Sequence, residues 1–127
     1  RHAVVLDGLA VNGKHKWFAD RKQSTIWNFD KPKKSAQHPT MKPIPLLAYP
    51  IKNSSAPNGV VMDLFGGSGS TLIACEQTDR ICRTMELDPK YASVIVERFY
   101  QEYPAQKIVV HRSGQSLEYA DLRQAIA

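Results

Sequence analysis

The chain has 127 residues, 43% of them hydrophobic, which suits one domain, or part of one, with a real core. No apolar run is long enough to span a bilayer, no secretory signal pattern opens the chain, and Cys75 and Cys82 lack the spacing of metal ligands. The net charge of +5 is uneven: residues 1–57 carry ten Lys/Arg against three acids, and residues 58–127 carry seven against nine.

On these figures no membrane span, export signal or metal cluster is expected. The expected setting is the cytoplasm, with both thiols buried and reduced. The charge asymmetry points to a polyanion near the first part and a smaller ligand in the second, with solvated lysines on an ordinary surface as the alternative. The chain opens at Arg1 without a methionine, which fits a trimmed piece or a fragment.

In chain order, Ala3 to Val11 reads as a hairpin, because Asp7-Gly8 suits a two-residue turn with positive φ. Residues 14–22 mix basic and aromatic side chains and read as loop. Thr25-Ile26-Trp27-Asn28-Phe29 alternates bulky and smaller side chains, which predicts a short strand. Residues 30–40 hold Lys31, Lys33, Lys34 and two prolines and are extended or irregular. A helix is predicted from Ile44 to Asn53, with Pro50 expected to kink it or end it early.

A turn over residues 54–59 then leads into Val60 to Phe65, apolar enough for a parallel strand buried on both faces. Gly66-Gly67-Ser68-Gly69 turns the chain into a helix through Leu72 to Glu76, which Ser70 or Thr71 can cap. A second strand closes on Glu86. Asp88 is suited to N-cap a further helix with Pro89 in its first position. Ala92, Ile95, Val96, Phe99 and Tyr103 share one face of that helix, and Pro104 stops it. Lys107 to His111 is a third strand. Three strands alternating with two helices predict an α/β fold with a parallel sheet and right-handed crossovers.

The glycine turn and the later acid carry the chemistry. Gly66, Gly67 and Gly69 permit positive φ and remove Cβ atoms that would hold a ligand away. No Gly-Lys-Ser/Thr follows, so this is not an NTPase phosphate loop, and Gly-x-Gly-x-x-Gly is absent too. A tight structural turn is the plain alternative. Glu86 argues against it: it stands 23 positions after Asp63, close to the spacing at which an acid meets ribose hydroxyls. A carboxylate accepting two hydroxyl protons makes charge-assisted bonds of about 1.5–3 kcal/mol each.

Three segments in order resemble one family. His38-Pro39-Thr40-Met41-Lys42-Pro43, Asp63-Leu64-Phe65-Gly66-Gly67-Ser68-Gly69-Ser70-Thr71 and Glu86-Leu87-Asp88-Pro89-Lys90-Tyr91 resemble the amino-group DNA methyltransferases. These move a methyl group from S-adenosylmethionine (SAM) to adenine N6 or cytosine N4. The His-Pro-Thr-x-Lys-Pro element ahead of the glycine turn resembles the permuted β arrangement, in which the catalytic motif lies upstream.

The resemblance implies a partial Rossmann-like SAM methyltransferase fold, with a small β or irregular segment before it. Residues 1–37 would belong to the target-recognition, DNA-facing region and 38–127 to the SAM-binding region. Thr40, Lys42 and Pro43 would line the methionine end of SAM. Asp63, Phe65, Gly66, Gly67 and Ser68 would form its cradle, with Glu86 on the ribose and Leu87 on the adenine. Lys14, Lys16, Arg21, Lys22, Lys31, Lys33 and Lys34 would contact DNA phosphates. Trp17, Phe18, Trp27 and Phe29 would either stack on bases or fill a core.

The sequence departs from the pattern in one serious way. Family members hold the target amino group with an Asp/Asn/Ser-Pro-Pro-Tyr/Phe element, and none of the eight prolines here is adjacent to another. No catalytic residue is therefore assigned, and the chain alone is expected to be inactive. Its expected partners are DNA and the missing N-terminal catalytic part, with a homodimer left open. Adenine N6 is the favoured target and cytosine N4 the other. A non-catalytic SAM- or DNA-binding remnant and an unrelated nucleoside-binding α/β methyltransferase are the competing readings.

Overall fold

The computed structural model describes residues 16–20, 22–24, 26–30 and 41–126. Its elements run α1 (Ile44–Ser54), β1 (Val60–Asp63), α2 (Ser70–Glu76), β2 (Ile81–Thr84), α3 (Pro89–Glu102), β3 (Val109–Arg112), β4 (Gln115–Glu118) and α4 (Tyr119–Ile126). The expected hairpin over Ala3 to Val11 and the irregular stretch around Lys31 to Lys34 lie outside the described residues. No helix among the described residues is long and apolar enough to cross a membrane.

β1 and β2 pair in parallel, with Val60 opposite Ile81 and Asp63 opposite Thr84. Side chains alternate across such a pair, so Val61, Asp63, Cys82 and Thr84 share one face. That face is covered. The Cys82 thiol there hydrogen-bonds the thiol of Cys75 on α2, and this bond, then burial, pushes the Cys75 thiol well above its ordinary range. Cys75 lies in the core with Ile73, Ala74 and the α3 residue Ile95, all 6% exposed or less. Both thiols are free.

The other face corrects the expectation of a strand buried on both sides. Val60 is 62% exposed, Met62 71% and Ile81 44%, and Leu64 and Met85 extend the bare strip past the strand ends. The apolar composition that predicted double burial is present, but among the described residues a layer of helix covers only one side.

The helix through Pro50 does not end early. It runs four residues further to Ser54 because its last turn is tied down. The buried Asn53 accepts the Phe18 N–H at its carbonyl (2.8 Å) and donates its side-chain amide to Gln23 Oε1 (2.7 Å). Both the N–H and the hydroxyl of Ser55 return to the Ile51 carbonyl, at 3.0 and 2.6 Å. These bonds offset the one that proline cannot donate.

Two expected strands differ. Residues 26–30 are irregular, because the Ile26 N–H bonds Ser24 Oγ and the Trp27 indole bonds the Ser24 carbonyl, satisfying locally what a strand would pair. The rings of Trp27 and Phe29 instead meet Tyr49 of α1 edge-on, at 4.7 and 6.1 Å. β3 does not join the parallel pair. Ser113 and Gly114 both take positive φ, 51° and 77°, the two-residue turn that folds a strand back, so β3 pairs antiparallel with β4.

The covered and bare faces give opposite expectations for substitution. Ile73→Ala should cost about 2–5 kcal/mol in urea unfolding, as a cavity in a small core does. Met62→Lys should leave the unfolding midpoint within about 0.5 kcal/mol and reduce binding of a hydrophobic dye, since it alters only an open surface.

Candidate functional site

The carboxyl ends of β1 and β2 lie side by side, and the turn between β1 and α2 folds over them. Asp63 starts it: its carbonyl accepts the Met85 N–H at 2.9 Å, and its Oδ1 accepts the Phe65 N–H at 3.0 Å. The Gly66 N–H donates to the Met85 carbonyl at 2.8 Å, so the turn stays attached to the segment after β2. The Gly69 N–H closes the turn on the Gly66 carbonyl at 2.8 Å.

Two separate reasons account for the three glycines. Gly67 and Gly69 take positive φ, 55° and 75°, and Gly69 is itself the N-cap of α2. The expectation that Ser70 or Thr71 caps this helix is therefore corrected: the left-handed residue does so, and Ser70 is turned to other partners. At Gly66 a Cβ would come within 2.7 Å of Thr84 Oγ1 and 2.8 Å of Ile95 Cδ1. Gly66 makes room for the protein's own side chains rather than for a ligand. Gly66→Ala should therefore lower stability by about 1–3 kcal/mol, read as a shifted denaturant midpoint.

Glu86 lies two residues beyond β2, not within it as the sequence predicts. Its Oε2 accepts the Gly67 N–H at 2.8 Å, and its Oε1 accepts the Asp88 N–H at 3.0 Å. The carboxylate is thus aimed by the two backbones it joins. A carboxylate is an acceptor-only group, the chemistry that ribose hydroxyls would meet. Phe65 and Leu87, on either side of this contact in the chain, are 86% and 98% exposed. Asp88 caps α3 as expected, accepting the Lys90 N–H at 2.8 Å.

The segment before α1 also reaches the turn. Ser70 Oγ donates to the Lys42 carbonyl at 3.2 Å, which brings Lys42 and, next to it, Pro43 beside Ser68 and Gly69. Thr40 lies outside the described residues, as do Lys14, Arg21, Lys31, Lys33 and Lys34. Lys16 and Lys22 are exposed. They flank Phe18, whose N–H bonds Asn53 near the far end of α1. An 11-residue helix is about 16 Å long, so this contact lies well away from Lys42.

One residue escaped the sequence reading. Arg98 of α3 reaches under the turn, its Nη1 2.8 Å from the Ser68 carbonyl and 3.0 Å from Ser70 Oγ. Burial lowers its pKa. The signal was available, since Arg98 follows the apolar Ile95 by one helical turn and so shares the inward side.

The chain matches the family of N6/N4 methyltransferases, described as DNA methylase, over residues 10–97. It belongs to that family. Among curated relatives, the type II methyltransferase M.SmaI of Serratia marcescens is 33% identical over 78 residues, 61% of this chain and 27% of that protein. M.Cfr9I of Citrobacter freundii is 33% identical over 82 residues, 65% of this chain and 27% of the relative. The chain thus spans about a quarter of the length of these relatives, with 27% in each. The crystal structure of an M1.HpyAVI–SAM complex superposes with a TM-score of 0.57 at 29% identity, covering 66% of this chain and 44% of that one. The fold is accordingly α/β and Rossmann-like, with β1, the glycine turn, α2 and β2 as its described nucleus.

Proposed function

We propose that this chain is the SAM-holding part of a site-specific DNA amino-methyltransferase, with adenine N6 the favoured target and cytosine N4 the other. One observation supports it above the rest. Glu86 is bonded to Gly67 at the joint carboxyl ends of two parallel strands, which is where α/β sheets receive nucleosides. The solved M1.HpyAVI relative is a SAM complex, and the donor set here fits the same ligand.

In this reading Glu86 takes the ribose diol and Leu87 covers the adenine. Asp63, Phe65, Gly66, Gly67 and Ser68 form the central cradle, Gly66 through its packing and Asp63 by holding the turn's entry. Lys42 and Pro43, with Thr40 before them, bound the methionine end. SAM supplies a methyl group on a sulfonium, and the chain's task is to fix that group's position. Residues 38–127 form this region. Residues 1–37 belong to the DNA-facing side, where Lys14, Lys16, Arg21, Lys22, Lys31, Lys33 and Lys34 would meet phosphates in a cytoplasmic enzyme.

The acceptor amino group would be held by an Asp/Asn/Ser-Pro-Pro-Tyr/Phe element, which this sequence does not contain. The polypeptide that carries it is the proposed partner, and the bare strip of Val60, Met62 and Ile81 gives it an apolar surface to cover. A second copy of the chain is the other occupant to test.

Calorimetry should detect SAM binding, and Glu86→Ala should weaken it by at least about 1 kcal/mol, roughly fivefold. Unchanged affinity would remove the ribose assignment. Transfer of radiolabelled methyl to DNA should be absent for this chain alone and appear when a polypeptide carrying the Pro-Pro element is added. Turnover without it would place the acceptor site within these 127 residues after all.

A further inference from the structure

Behind the glycine turn sits a cation that the proposed binding surface does not use. Arg98 leaves α3 on the same side as the buried Ile95, and its Nη1 donates to the Ser68 carbonyl at 2.8 Å, to Ser70 Oγ at 3.0 Å and to Ser68 Oγ at 3.4 Å. All three acceptors belong to the serines on either side of Gly69, and both serines are buried. Among the described residues no carboxylate pairs with Arg98, and the acid acting on its charge is Glu102, four residues on. A guanidinium keeps its proton even when desolvated, so its position depends on these neutral acceptors.

The hydroxyl chemistry then fixes a direction. Ser70 Oγ has one proton and two lone pairs. Its proton goes to the Lys42 carbonyl at 3.2 Å. Arg98 occupies one lone pair, so Ser68 Oγ, 3.0 Å away, is the donor to the other. Every bonding position of the Ser70 hydroxyl is filled, and each is filled from a different part of the chain: α3, the glycine turn and the segment before α1.

We propose that Arg98 is a positioning residue of the SAM site: by holding Ser68 and orienting the Ser70 hydroxyl, it fixes the Lys42–Pro43 segment against the glycine turn. This rests on the reading of the turn as a SAM site and adds to it. The wall bounding the methionine end is set from behind by Arg98, whereas the ribose end is set independently by Glu86.

The two ends can be separated with two probes, SAM and adenosine, which lacks the methionine end. Binding of each to the 127-residue chain should be measured for the unaltered protein and for Arg98→Met, Arg98→Lys and Ser70→Ala. Arg98→Met and Ser70→Ala should weaken SAM roughly tenfold while adenosine affinity changes less than about twofold. Arg98→Lys should recover part of the loss, because an ammonium reaches one acceptor but lacks the planar fork. In heteronuclear spectra without ligand, the amides of Lys42 and Ile44 should shift together with those of Gly66 to Ser70, and those of β3 and β4 should not.

Equal weakening of both probes would show general loosening and overturn the proposal, as would unchanged SAM binding in Ser70→Ala, which needs no change to the buried cation. Failure of the unaltered chain to bind either probe would overturn the SAM reading itself, and this proposal with it.

Discussion

The glycine turn depends on how closely the backbone at Gly66 approaches α3 and the end of β2. With no Cβ there, the turn lies against Thr84 and Ile95 and keeps its bond to Met85. That contact sets the height of the turn above the sheet. From it follow the reach of Gly67 to Glu86, the left-handed start of α2 at Gly69, and the burial of Ser68 and Ser70 where Arg98 can meet them. A side chain at this one position would move all of these together.

Two devices hold the turn from opposite sides. At the mouth, the Glu86 carboxylate accepts backbone N–H groups of the turn and of the approach to α3. Behind it, a guanidinium bonds a carbonyl and two hydroxyls. The opposite signs suit the partners: anions accept from N–H groups and cations donate to oxygens. Both sets of bonds form within the chain itself, so the turn is held by the chain's own groups.

The parts of this arrangement written as local patterns were legible in the sequence. The glycine turn, the acid 23 residues after Asp63, the Asp88-Pro89 helix start and the stop at Pro104 are each set by the conformational limits of a few adjacent residues. What was misjudged depends on distant partners. Whether a strand is covered on one face or two depends on which layers reach it, and Val60 and Met62 do not encode that. Pro50 was expected to kink α1 or end it early, because the bonds made by Asn53 come from residues thirty or more positions earlier. The turn at Ser113-Gly114, which folds β3 back, contains a serine with positive φ that few sequence rules would flag. Arg98 was overlooked because an arginine on a helix reads as surface until its acceptors are known.

The half-covered sheet has a thermodynamic consequence. The described apolar core consists of Ile73, Ala74, Cys75 and Ile95. A core as small as that among the described residues leaves a narrow margin over the unfolded state. A ligand that binds only the folded form raises that margin by about 2.7 kcal/mol at a hundred times its dissociation constant. A term of that size is comparable with the loss of one core side chain such as Ile73. The concentration of the methyl donor would then govern how much of the chain is folded, as well as how much of it is loaded.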